Sequence, residues 1–352
     1  MTAPLDGIRV VEMTSVVLGP YACQILGDLG ADVIKIEPPA GDTNRNLGPR
    51  RNSQDMGSLF LTCNRNKRSV ALDLKSDRGR QAALDIIKTA DVVVHNFRPQ
   101  AMLRLGLDYE AVRQVNSNVV YCATYGYSKK GPYGDKGALD DSIQAASGVA
   151  VLQSMVEGEP RYLPTIIADK TTGQIVVQAV LAALFHREKS GKGQKVSAAM
   201  QDGVLNLCRV KLRDQQRLER GPLKEYSQYG EDIPFGDSTP RAGNDSGGGQ
   251  PGRILKCKGW ETDPNAYTYF ITQAAVWEKV CDVIGKPEWK EDENYSTPEK
   301  RLPRLNNIFD TIESWTKTKT KFEVMEICNP LDIPVGPILS MKEIAEDQGL
   351  RE

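Results

Sequence analysis

Of 352 residues, 45 are Lys or Arg and 46 are Asp or Glu, giving a formal net charge of −1. The length suits about two domains with ample core, and the balanced charge excludes a general pull toward nucleic acid or an anionic membrane. Seven cysteines without metal-ligand spacing, with only His95 and His186 beside them, argue against a structural metal and against a Ser-His-Asp triad.

The opening Met1-Thr-Ala-Pro-Leu-Asp-Gly7 has no basic stretch followed by an apolar one, and no later apolar run reaches membrane-spanning length. A soluble protein of the cytoplasm is expected. Residues 8–12 then read as a strand, 21–29 as a helix and 32–36 as a second strand. The alternation continues with strands at 69–74, 91–95 and 119–123 and a helix at 77–89. Short apolar strands joined by amphipathic helices predict an α/β fold, a Rossmann-like large domain whose parallel sheet is covered on both faces.

Such sheets bind ligands beyond the carboxyl ends of their strands, which directs attention to residues 13–20, 38–42, 73–75, 96–99 and 125–141. Glu37 ends a second strand, as a ribose-binding acid would. Yet Leu18-Gly-Pro-Tyr-Ala22 puts Pro20 and Tyr21 where close phosphate approach favours glycine, so a nicotinamide enzyme is not expected. The cations in Asn64-Arg-Asn-Lys-Arg68, with Lys75, suit either a phosphate or a solvated basic face. Asn96-Phe-Arg-Pro99, followed by Arg104, joins amide, aromatic and guanidinium groups at one ligand edge, although Phe97 can equally pack into the core.

In the Gly-rich stretch 125–141, Asp140 is a candidate either for capping a helix over 142–146 or for direct catalysis. Asp169 breaks the apolar run Thr165-Ile-Ile-Ala168 directly before an amphipathic stretch at 174–187. A carboxylate at such a strand-to-helix junction is either an N-cap or a nucleophile. Residues 221–252 are rich in Gly, Pro and Ser and read as a linker, within which Gly247, Gly248, Gly249 and Gln250 offer exposed amides to an oxyanion or carboxylate. A smaller α+β domain is expected over 253–321, after a large domain over 1–220, with a further segment at 322–352.

Taken together, these segments resemble the family III CoA-transferases, the CaiB/BaiF family, over essentially the whole chain. The resemblance rests on Pro4-Leu-Asp-Gly-Ile-Arg-Val-Val-Glu12, Gly30-Ala-Asp-Val-Ile-Lys-Ile-Glu37, Asn66-Lys-Arg-Ser69, Asn96-Phe-Arg-Pro99, Ala168-Asp169 and Gly191-Lys-Gly-Gln-Lys-Val196. The later text, from Met200 through Lys256-Cys-Lys-Gly-Trp-Glu-Thr-Asp263 to Ile338-Leu-Ser-Met-Lys-Glu-Ile-Ala345, is similar to the branch that exchanges CoA between formate and oxalate.

The resemblance implies that Asp169 attacks an acyl-CoA thioester, forming an aspartyl mixed anhydride and then an enzyme-CoA thioester, with Asp140 at an acidic position nearby. It implies CoA contacts from Val17, Leu18, Leu72, Asp73, Leu74, Lys75, Asn96, Phe97, Arg98, Arg104, Lys136, Gly137, Ala138 and Leu139. It implies substrate contacts from Gly248, Gly249 and Gln250 and a return of 322–352 toward the large domain. It further implies that no cofactor is tightly bound, that coenzyme A enters as part of the substrates, and that the partners are acyl-CoA, small carboxylic acids and a second copy of the chain in an interlocked homodimer. This sequence has Val17 where formyl-CoA transferases carry Gln, and Pro38 where they carry Arg. It also ends at Glu352, where related enzymes continue, so a C-terminal truncation is expected. Acyl-CoA racemisation, which in this family uses a His-Asp pair, meets Leu139-Asp140 instead; an inactive CoA-binding chain is the third reading.

Overall fold

The computed structural model describes residues 3–49, 56–154, 158–218, 239 and 251–350. The chain divides into two compact units, one of residues 1–150 and 162–209, the other of 151–161 and 210–352.

The first unit is built on six strands, β1 (Arg9–Met13), β2 (Asp32–Glu37), β3 (Lys67–Ala71), β4 (Val92–His95), β5 (Val120–Tyr125) and β6 (Lys195–Ala199). All pair in parallel in the order β3-β2-β1-β4-β5-β6, the doubly wound Rossmann arrangement. The central strands read as nearly continuous apolar runs because both faces are covered. Val10, Val92, Val94, Val120 and Cys122 enter one core, whereas Val11, Met13, Val93, Tyr121 and Ala123 enter the other. Successive side chains point to opposite faces, so each strand feeds both layers.

Its helices are α1 (Leu18–Asp28), α2 (Ser58–Asn64), α3 (Asp77–Ile87), α4 (Pro99–Leu105), α5 (Tyr109–Val115), α6 (Asp140–Ala146), α7 (Val149–Leu152), α8 (Ile167–Ser190), α9 (Met200–Leu207) and α10 (Arg209–Leu218), of which α7 and α10 run across the unit boundaries. The expected strand at 69–74 is shifted, because β3 is in register with Val33–Glu37 of β2 through Lys67–Ala71. No strand leads into Asp169: residues 162–166 are irregular and α8 begins at Ile167, with Ile166 as an N-cap that makes no side-chain bond. Asp169 therefore lies within the first turn rather than at the cap.

Helices α1 and α8 pack closely because Gly173 has no side chain. A Cβ there would stand 2.9 Å from Tyr21 Cδ1 and 3.1 Å from the Leu18 carbonyl oxygen, well inside ordinary contact. This brings the first turn of α8 against the first turn of α1.

The second unit has an antiparallel sheet of β7 (Gly252–Lys256), β8 (Tyr267–Ile271) and β9 (Val335–Pro337). Its helices are α11 (Trp277–Val283), α12 (Pro298–Arg301), α13 (Leu305–Thr316), α14 (Lys321–Cys328) and α15 (Met341–Glu346). Leu255, Phe270, Ile308, Phe309 and Val324 form its core, and Trp277, Trp289 and Tyr295 stack with Arg301 over Trp277. The segment 322–352, expected to return toward the large domain, supplies β9 to this sheet and Val324 and Cys328 to this core. Among the described residues, no helix is long and apolar enough to cross a membrane.

Candidate active site

In an open parallel sheet a crevice forms where connections from neighbouring strands leave in opposite directions. Here that point lies beyond β1 and β4, and a cavity of about 250 Å³ opens there. Ser15, Val16 and Leu18 reach it from the end of β1, and Asn96 and Arg98 from the end of β4. Tyr125 ends β5 and Gly126 follows it, Lys136 to Leu139 lie on the loop before α6, and Asp169 comes from α8.

The turn after β1 is held by side chains of other segments. Asn96 accepts from the Ser15 N–H at 3.2 Å and donates to the Ser15 carbonyl at 2.8 Å, while Asn44 donates to the Val16 carbonyl. Val16 has φ +69, an outlier for a β-branched residue that surrounding structure must enforce. The consequence is an α1 whose first amide, that of Leu18, donates to the Asp169 carboxylate.

Behind the turn is a buried ion network. Lys35 pairs with Glu12 at 2.9 Å and with Asp42 at 3.0 Å, and Lys67 pairs with Glu12 at 2.7 Å. Lys35 also donates to the Thr14 carbonyl, and Lys67 to that of Pro20, so both ends of the turn are fixed from within. Of the cations at 64–68, Lys67 is drawn inward to pair with Glu12, whereas Arg65 and Arg68 stay on the solvated face, paired with Asp28 and Asp32.

Asp169 is 8% exposed. Burial, and then the negative charge of Asp140, push its carboxyl up to about 6, against the opposing bond from Leu18. It remains mostly ionised at neutral pH, and the raised basicity makes it a better nucleophile than an ordinary carboxylate. If Asp169 is the nucleophile that the resemblance implies, kcat/KM for an acyl-CoA is expected to fall on the acid side with a midpoint near 6. Asp140→Asn should move that limb downward; a limb unmoved by the substitution would show that Asp140 does not tune the group.

Asp140 does not cap its own helix. It is the first residue of α6, and its Oδ1 accepts the Asp169 backbone N–H at 2.9 Å, so it caps α8 across space. It sits behind Asp169, and the cavity wall at that point is Leu139.

Leu18, Asn96, Arg98, Lys136, Gly137, Ala138 and Leu139 meet Asp169 at the one cavity. The Arg98 guanidinium lies against Gly137, where a Cβ would come within 2.8 Å of it. Phe97 and Arg104 line a neighbouring space of about 540 Å³ that shares Asn96 and Arg98 as walls. Val17 is buried and lines neither space, and Leu72 and Leu74 pack against the core beyond β3 beside an exposed Asp73 and Lys75. Gly248, Gly249 and Gln250 lie outside the described residues. The sequence reading missed Met200 on the cavity wall and the buried Gln144 behind it; Gln144 carried a signal, since it is spaced i,i+4 from Asp140 on one helix. His95 is buried on β4, its imidazole pushed down to about 3 by burial and then by Lys195 and Lys129, and His186 is exposed toward the end of α8. Neither offers the acid-base pair of a racemase.

A family model described as CoA-transferase family III matches residues 5–352. The chain is 55% identical over 352 residues to a formyl-CoA:oxalate CoA-transferase of Afipia carboxidovorans, covering 99% of this chain and 82% of that one. It is 54% identical over 354 residues to the protein of the same name in a Bradyrhizobium species, covering 100% and 83%. Among solved structures it is similar to a CaiB/BaiF family protein of Brucella suis, with TM-score 0.79, 27% identity and coverage of 100% and 88%. It is likewise similar to Rv3272 of Mycobacterium tuberculosis, with TM-score 0.83, 28% identity and coverage of 99% and 88%.

Proposed function

We propose, for a chain that belongs to CoA-transferase family III and is a CoA-transferase, that it moves CoA from formyl-CoA to oxalate by covalent catalysis on Asp169. The observation that carries the covalent step is the buried Asp169 carboxylate on the wall of the switch-point cavity, aligned by the Leu18 amide. The choice of acids follows the relatives at 55% and 54% identity, which are named for formyl-CoA and oxalate.

Asp169 attacks the formyl carbonyl, the C–S bond breaks, and CoA leaves as thiolate. The thiolate attacks the aspartyl carbonyl of the mixed anhydride, expelling formate and leaving an aspartyl-CoA thioester. Oxalate attacks that thioester, and the freed thiolate then takes the oxalyl group from the second anhydride, restoring Asp169. A carboxylate serves as nucleophile because it is ionised without a general base and its anhydride stays reactive to thiolate. Water must be excluded at each stage, the role assigned to the loop carrying Gly248, Gly249 and Gln250.

Asn96, Arg98 and Lys136 to Leu139 hold the CoA arm in this reading, and Phe97 and Arg104 extend its path. Leu72, Asp73, Leu74 and Lys75 touch its distal end. The same reading has two chains interlocked as a homodimer in the cytoplasm.

Incubation with formyl-CoA and oxalate is expected to yield oxalyl-CoA and formate. Hydroxylamine added during turnover is expected to leave a hydroxamate on Asp169, mapped by mass spectrometry of the digested protein. Transfer to another acid in preference to oxalate would overturn the substrate assignment alone, whereas turnover without modification of Asp169 would overturn the mechanism.

A further inference from the structure

We propose that Gln144 is a positioning residue for the transfer reaction, holding Asp140 in the one orientation that aligns the first turn of α8; this rests on the reading of Asp169 as nucleophile. Gln144 is fully buried, one turn after Asp140 on α6, and does not reach the cavity wall. Every hydrogen-bonding group of its amide is engaged. Its Nε2 donates to Asp140 Oδ2 at 2.7 Å and to the carbonyls of Leu163 and Thr165 at 3.2 Å each, while its Oε1 accepts from the Leu163 N–H at 2.9 Å.

The bonds form a continuous path. Residues 163–165 lead directly into α8, Gln144 ties them to Asp140, and Asp140 Oδ1 accepts the N–H of Asp169 itself. With Oδ2 held by Gln144, the carboxylate cannot turn away from α8, so both the irregular segment and the helix start are fixed to one point on α6.

The chemistry selects glutamine. The position needs a donor toward Asp140 and an acceptor toward the Leu163 N–H from the same planar group, and a buried acceptor left without its donor is costly. Methionine fills the volume and supplies neither function. Glutamate supplies the acceptor, and supplies the donor only while protonated.

Two variants test this, with thermal melting as the check on folding. Gln144→Met is expected to lower kcat and the single-turnover rate of Asp169 acylation by about 10- to 100-fold, the usual consequence of a reacting group displaced by up to an ångström. Its KM for acyl-CoA should stay within about threefold of the original, since Gln144 lies off the cavity wall. Gln144→Glu adds a second carboxylate facing Asp140, with Asp169 the next acid along the path. Its kcat relative to the unaltered enzyme at the same pH should therefore rise as the pH is lowered from about 8 to 5.5, as protonation restores the donor.

Acylation of Asp169 at the original rate in both variants would overturn the proposal. So would parallel loss of kcat, acyl-CoA affinity and melting temperature without recovery at low pH, or failure of both variants to fold, since either makes Gln144 a purely structural residue. Failure of the unaltered enzyme to acylate Asp169 is a separate result, which removes the nucleophile reading first and this inference with it.

Discussion

Asp169→Ala is expected to lower kcat for CoA exchange by about 10⁴-fold or more, because the substitution removes the carboxyl group on which both covalent intermediates of the proposed mechanism form. Binding of free CoA, measured by calorimetry, should change little. A variant that retained normal turnover would remove Asp169 from the mechanism.

The same position carries a stability effect of opposite sign. The carboxyl is raised from 3.8 to about 6, by burial first and Asp140 second, so the folded chain keeps a proton that the unfolded chain releases between those values. Stability therefore falls as pH rises through that window, and the penalty persists at pH 7. At about 1.4 kcal/mol for each tenfold change in proton affinity, the penalty is of order 2–3 kcal/mol. Asp169→Asn keeps an acceptor for the Leu18 amide without the charge. Urea unfolding should find it more stable than the unaltered enzyme at pH 7 by up to that amount, with the difference vanishing below about pH 4. Equal stabilities at both pH values would show that the carboxylate is not strained by its setting. Loss of activity with gain of stability is the pattern of a site that function holds away from its most stable composition.

The second large effect belongs to Glu12, which is fully buried and lines neither cavity. Burial pushes its carboxyl up, and the charges of Lys67 and Lys35 outweigh that and hold it below its usual range. Glu12→Leu leaves two buried ammonium groups without their shared partner. Removing one member of a buried pair costs about 3–5 kcal/mol, since the remaining charge stays desolvated. Among the described residues, Lys67 would retain Pro20 and Asn64 as hydrogen-bond partners, and Lys35 would retain Asp42 and the Thr14 carbonyl. For a unit of this size the loss corresponds to a melting point lower by roughly 6–20 °C. The turn that carries Val16 and Leu18 is tied to this network, so kcat should fall in the variant even at temperatures where it is folded. A melting point within a few degrees of the original would show that the network is not what holds the turn.

The alternation of apolar strands with amphipathic helices determined the parallel sheet, because a strand covered on both faces must be apolar throughout, as Val92 to Val94 are. The order of segments carried the resemblance to the family; Asn96 and Arg98 could be picked out as candidates from residue type and position after a strand, Asp169 from its place before an amphipathic stretch, and Lys136 came with the resemblance. These are local properties, carried by spacing and by the residues next in sequence.

The tertiary structure decided what depends on side chains meeting across many residues. Lys67 and Glu12 are 55 positions apart and Asp140 and Asp169 are 29 apart, so no periodicity relates them. From sequence alone Lys67 belonged to a cluster that suited either a phosphate or a solvated face, and Asp140 was either a cap for its own helix or a catalytic acid. In the fold, Asp140 on α6 instead meets the first turn of α8, and Asp169, on a helix packed against α1 through Gly173, is buried beside a like charge. The basicity of a carboxylate follows from its desolvation and its charged neighbours, and both exist only once the chain has folded around it.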